Sequence, residues 1–271
     1  MKRLNSNGAI GATLTGIVVV AGLIAPFWTP FDPLAIGYTD RLAAPGLAHW
    51  LGTDEFGRDV LSRLMAGATT SLRVSLLSVV SALLLGVMVG AAAGYLRGWT
   101  DRVLMTFNDV LLAFPGILLA LGLLSIVGAS ERGIVLALGL AYAPSVARIV
   151  RGAVLSLRER DFVAASRIMG NGELYTICRH ILPNCLAPLI VLTTSMFGWA
   201  VLAESSLSFL GLGVPPPAPT WGNMLAASRP FIAHSVWLAL LPGLCISLTL
   251  LGINLLGDAV RDRLDPHMRG S

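Results

Sequence analysis

Apolar residues recur along the chain in six long runs separated by polar segments: 9–28, 72–96, 103–127, 133–155, 186–209 and 236–256. Each is close to the roughly 20 apolar residues a helix needs to cross the hydrocarbon core. The third run is interrupted by Asp109 and Pro115, and the fourth contains Pro144. The first follows Lys2 and Arg3, but it is long and no small-x-small site closes it. It therefore predicts an uncleaved first span rather than a signal peptide. The pattern predicts an all-α integral membrane protein with six transmembrane helices.

The polar segments carry their own patterns. In 51–65, Gly52 and Gly57 punctuate a turn. Val60, Leu61, Leu64 and Met65 then share one face, with Arg58, Asp59, Ser62 and Arg63 on the other. This predicts a short interfacial helix on the outer surface. Pro215, Pro216, Pro217 and Pro219 predict a stiff extended linker. Trp221, just beyond it, is expected at the membrane interface.

The segment 158–184 is charged yet patterned. Asp161 is placed to cap a helix whose apolar face is Phe162, Ala165, Ile168 and Met169. Gly170 and Gly172 bracket Asn171, which permits a sharp turn. Leu174, Ile177, Cys178 and Ile181 face a second short helix, which Pro183 is expected to end before the fifth span. An apolar face at an aqueous surface suits a protein groove.

Composition narrows the class. The chain is 55% hydrophobic and 13% charged, against roughly 25% charged in soluble domains. A soluble enzyme is excluded. With the amino terminus inside, thirteen of the nineteen Lys and Arg residues fall on the cytoplasmic side, as the positive-inside rule requires. Both termini and the 158–184 segment are then cytoplasmic, and the net charge of +4 follows from topology rather than nucleic-acid binding.

Covalent chemistry finds little support. Lys2 is the one lysine and lies outside any G-x-x-x-x-G-K-[ST] context, so the chain has no P-loop. No G-x-S-x-G or H-E-x-x-H occurs, and His49, His180, His234 and His267 are scattered. Cys178, Cys185 and Cys245 have neither zinc nor disulfide spacing. No metal site and no catalytic residue is assigned. Uphill transport would draw energy from a partner or an ion gradient. Asp109 and Glu204 lie within apolar spans, where ionisable groups face the bundle interior or a watery path. Arg102 or Arg148 is placed to pair with Asp109. Glu204 and the adjacent Ser205 are candidates for the pathway, or for contact with a second subunit.

The 158–184 segment resembles the cytoplasmic coupling loop of ABC-importer permeases. Its E-A-A, glycine and Leu-Pro signature appears here as Ala164-Ala165-Ser166, Gly170 and Leu182-Pro183, with alanine in place of glutamate. "HWLGTDEFGRDVLSRLMAGATTSL" (49–72), "LAESSLSFLGLGVPPPAPTWGNML" (202–225) and "NLLGDAVRDRLDPHM" (254–268) resemble segments of the dipeptide/oligopeptide/nickel branch, and its second, C-type permease matches best. The resemblance implies a type I ABC-importer permease fold. The first part, 1–71, would hold one span and the outer amphipathic segment; 72–271 would be a five-helix core with the coupling loop at 156–183. Asp161, Phe162, Ala164, Ala165, Ser166, Arg167, Met169, Gly170, Leu174, Leu182 and Pro183 would engage an ATPase. Gly52, Asp54, Arg58, Asp59, Arg63 and Trp221 would form the outer segment.

The implied partners are a homologous permease, two ATP-binding subunits, an extracytoplasmic substrate-binding protein and the inner membrane. ATP and magnesium would reside on the ATPases, with no cofactor in this chain. Peptides are the implied substrates, and nickel or a metal chelate is the alternative. A proton-coupled secondary transporter using Asp109 or Glu204 is a more distant reading.

Overall fold

A computed structural model describes residues 6–37 and 39–264. Lys2, Arg3, His267, Arg269, both chain termini and the end of the 254–268 motif lie outside the described residues. Helices α1 (Ser6–Ile24), α2 (Val60–Leu96), α3 (Gly98–Leu112), α4 (Gly116–Val127) and α5 (Glu131–Leu157) are followed by short α6 (Asp161–Ile168) and α7 (Glu173–Thr176). Then come α8 (Leu186–Phe209), α9 (Trp221–Ser228) and α10 (Trp237–Leu264). Among the described residues there is no strand beyond one isolated bridge between Thr53 and Asp59.

Helix α2 differs from expectation. The outer amphipathic stretch and the second span are one helix of 37 residues. Asp59 caps it by accepting from the Ser62 amide at 2.8 Å and the Ser62 hydroxyl at 2.7 Å. No proline follows within it, so nothing stops the helix at the membrane surface. At 1.5 Å per residue it is about 56 Å long, nearly twice the hydrocarbon thickness, and its first turns project beyond the membrane. A boundary at residue 71 therefore falls inside a helix and separates no unit of structure.

The third run is also different. It bends by 94° between α3 and α4. Pro115 cannot donate to the helical ladder and disfavours helical backbone at Phe114. Among the described residues, five helices are long and apolar enough to cross a membrane, and six if the bent pair is one broken span.

Close approach holds the bundle together. Gly86, Gly90 and Gly94 recur every four residues on α2 and face Val146, Ala147, Val150 and Val154 of α5. A Cβ on Gly90 would lie 2.4 Å from the Ala147 carbonyl, and one on Gly86 would lie 2.4 Å from Val146 Cβ. Small residues let helices meet backbone to backbone, where lipid supplies no hydrophobic drive. Helices α1 and α10 meet the same way. A Cβ on Gly11 would lie 2.7 Å from the Leu256 amide, and one on Gly252 would lie 2.7 Å from Thr15 Oγ1. Below the α2–α5 seam, Val163 of α6 and Ile181 join the same buried cluster as Val150 and Val154. The polar segment is thereby bolted to the bundle.

Candidate functional site: the elbow between α5 and α8

Helix α6 starts after Arg160, whose backbone is extended and whose side chain makes no cap. The expected cap, Asp161, is instead the first helical residue, where its charge complements the helix dipole. Val163 and Ser166 are fully buried and fix the inner face. Ser166 Oγ lies 3.0 Å from Thr176 Oγ1, and Asn171 Nδ2 donates to Ser166 Oγ at 3.2 Å. The turn rests on Gly170, with φ of +80°, a region that L side chains avoid. Gly172 has ordinary φ of −64°, so one of the two glycines does the conformational work.

The other face is bare. Phe162 is 40% exposed, Ile168 86%, Met169 71% and Leu174 75%. Ala164, Ala165 and Arg167 are exposed beside them. Pro183 does not end a helix as expected. Ile177–Ile181 forms a wide π-type turn and Leu182–Cys185 a tight 3-10 turn, and these carry the chain helically into α8. Pro183 sits in the first turn of the 3-10 segment, where its missing amide proton costs no ladder bond. Leu182 is half-buried and Pro183 exposed.

Tyr95 was not singled out from the sequence. It is 4% exposed at the end of α2, and two guanidinium groups face its ring. Arg158 lies 5.6 Å and Arg167 5.4 Å from the ring centroid, within cation–π range. Arg158 Nη1 also donates to the Tyr95 carbonyl at 2.5 Å. A lone aromatic among the small residues closing α2 was the available signal.

On the outer side, Asp54 accepts from Arg58 Nε at 2.6 Å and lies 3.2 Å from Arg63 Nε. His49 Nδ1 sits 2.9 Å from Asp59. Gly52 and Gly57 have φ of +77° and +74°, and burial pushes the adjacent Glu55 carboxyl above its usual pKa. These groups form one polar cap over the start of α2. Trp221 packs inside the protein rather than toward lipid. It is 1% exposed, donates from Nε1 to the Leu64 carbonyl at 3.1 Å, and fills space left by Gly67.

The two intramembrane acids separate. Asp109 pairs with Arg148 at 2.8 Å, and both side chains are about 60% exposed. Glu204 is 0% exposed, accepts from Ser208 at 2.8 Å, and lies near Ser205, itself 4% exposed. In this conformation neither a pathway nor a second subunit touches Glu204, because the chain's own helices enclose it. Among the described residues no group of His, Cys, Asp and Glu is placed to hold a metal ion.

Residues 82–270 match the model of the binding-protein-dependent transport system inner membrane component family. The chain belongs to this family. It is a multi-pass inner-membrane permease that works with separate ATPase and binding-protein components, and it is not itself an enzyme. A Brucella suis permease named for peptide transport is 46% identical over 96% of this chain and 88% of its own length. The dipeptide permease DppC of Alkalihalophilus pseudofirmus is 40% identical over 99% of this chain and 89% of its own. The glutathione permease GsiD of Escherichia coli is 38% identical over 94% and 84%. Among solved structures, the inward-facing methionine transporter MetNI aligns with a TM-score of 0.59 at 19% identity, covering 75% of this chain and 96% of that one. That likeness gives the permease the type I importer fold.

Proposed function

We propose that this permease carries peptides inward in an ATP-driven importer. The reading rests on the unpartnered apolar face of α6, held out by an inner face that is fully packed. A partner groove of complementary shape would cover Phe162, Ile168 and Met169. Relatives that match nearly the whole chain are named for peptide, dipeptide and glutathione transport, so peptides are favoured over nickel or metal chelates. A homologous permease would complete the pathway, two ATP-binding subunits would dock beneath, and a binding protein would deliver substrate from above. ATP and magnesium would sit on the ATPases. Both termini and the elbow would face the cytoplasm. Closure of the ATPases would push on α6, and the packed Val163 and Ile181 would pass that displacement to α2 and α5, alternating access to the pathway.

The test is uptake of alanyl-alanine into proteoliposomes holding the full complex and its binding protein, with ATP supplied and the proton gradient collapsed. Uptake should persist. Loss of uptake on collapsing the gradient would return the chain to the secondary-transporter reading.

A further inference from the structure

One exposed feature stands apart from the elbow. Asp109 lies eleven residues into α3 and Arg148 nine residues before the end of α5. At 1.5 Å per residue the pair lies about 14–17 Å along the helices from those ends, inside the apolar runs 103–127 and 133–155. Yet the two side chains are 62% and 61% exposed. One turn along α5, Arg151 binds Asp101 through two bonds of 2.5 and 2.7 Å. Beyond the helix end, Glu159 meets Arg97 at 3.2 Å, again with both side chains largely exposed. Two ion pairs therefore join α3 to α5, and a third, Arg97 with Glu159, follows just past the ends of the two helices.

Hydrocarbon is a poor neighbour for such a strip, since charged groups at membrane depth turn to water or to polar protein. The top pair is also incompletely used. One bond, Arg148 Nη2 to Asp109 Oδ1, joins it. The other guanidinium N–H groups and the second carboxylate oxygen are open to a further partner. A solute with an ammonium at one end and a carboxylate at the other could insert between the two. Its carboxylate would take the guanidinium fork and its ammonium the aspartate, leaving no charge unpaired.

We propose that the Asp109–Arg148 pair forms part of the aqueous wall of the translocation pathway and binds the charged termini of zwitterionic peptides. Asp101–Arg151 is the next rung toward the exit. This deepens the peptide-import reading and rests on it.

The experiment leaves the pair intact and reports from beside it. Thr106 is exposed three residues before Asp109, and Gly152 is exposed four after Arg148 with no atom within 4 Å of an added Cβ. Thr106→Cys and Gly152→Cys are made in a cysteine-free background and treated, in the assembled complex, with a charged methanethiosulfonate. Met88→Cys, 68% exposed on an apolar stretch of α2, is the lipid-facing control. Both flanking cysteines should react at least about tenfold faster than the control, a gap equivalent to 1.4 kcal/mol. Alanyl-alanine should slow them, and the end-blocked N-acetyl amide should not. The protection should vanish in Asp109→Asn/Arg148→Gln. Flanking cysteines as inert as Met88→Cys would overturn the aqueous placement. Protection that is absent, equal for blocked and free peptide, or indifferent to the charge substitutions would overturn the binding role. Failure of ATP-driven alanyl-alanine uptake by the unsubstituted complex would count instead against peptide import, and the labelling without peptide would still report on the wall.

Discussion

Ser166 Oγ and Thr176 Oγ1 lie 3.0 Å apart, both fully buried, and join α6 to α7. The contact explains why a segment so rich in charge keeps an apolar face outward. Its inward polar groups satisfy one another, so Val163 can enter the core while Phe162 and Ile168 point away from it.

Truncating Phe162 should separate folding from assembly. Phe162→Ala removes a side chain with much of its surface free in the isolated chain, so thermal unfolding of the permease alone should barely move. Its hold on the ATPases should weaken by roughly 2 kcal/mol, about thirtyfold. Co-purification at graded salt, with binding-protein-stimulated ATP hydrolysis, reads the loss. Unchanged assembly would make the elbow a mere connector.

Gly170 should be sensitive for a different reason. No atom lies within 4 Å of a Cβ added there, so crowding is not the obstacle; the φ of +80° is. Left-handed backbone costs about 1–2 kcal/mol for an L residue, and more for a β-branched one. Gly170→Val should loosen the elbow and uncouple ATP hydrolysis from transport, while Gly170→Asn, which tolerates this backbone, should retain most coupling. Equal behaviour of the two would argue against a conformational role.

Trp221 should behave as a core residue. Trp221→Ala should cost about 3–5 kcal/mol and Trp221→Phe about 1 kcal/mol for the lost bond to Leu64. Thermal unfolding in detergent provides the comparison.

Orientation can be read at residues exposed at the two ends of the bundle. Leu47 is 100% exposed and Met169 71%. In a cysteine-free background, Leu47→Cys should be labelled by an impermeant thiol reagent from outside the cell, and Met169→Cys only after the membrane is opened. The opposite result would invert the orientation.

Glu204→Gln should leave ATP-driven uptake close to that of the unsubstituted complex, with or without a proton gradient. Its carboxylate is sealed among Ser205 and Ser208, and an amide can take over those contacts. Uptake that needs the proton gradient in the unsubstituted complex and is lost in the variant would show that Glu204 carries protons.

The sequence revealed the helical class, the apolar runs and the elbow, because periodicity and glycine–proline punctuation are local signals. It did not reveal that Val60 to Leu96 is continuous, since hydropathy falls where the helix leaves the membrane although the backbone does not break. The burial of Trp221 and Glu204 was not legible for a related reason. Their surroundings are Leu64, Gly67 and Ser71 of α2, more than a hundred residues away in the chain. Asp109 found one of its two anticipated partners, Arg148.

The glycine seam between α2 and α5 carries one last implication. Backbones in direct contact over three successive turns cannot slide past one another without collision, so a displacement along one helix is passed to the other. The packed pair begins at the capped Asp59 beyond one face of the membrane and ends at Arg158, against Tyr95 above the elbow. A nudge along one helix is therefore handed on, not absorbed between them. The yielding joint has to lie elsewhere, and the right-angled break at Ala113–Pro115, where α3 leaves α4, is where the chain has already given up its helical ladder.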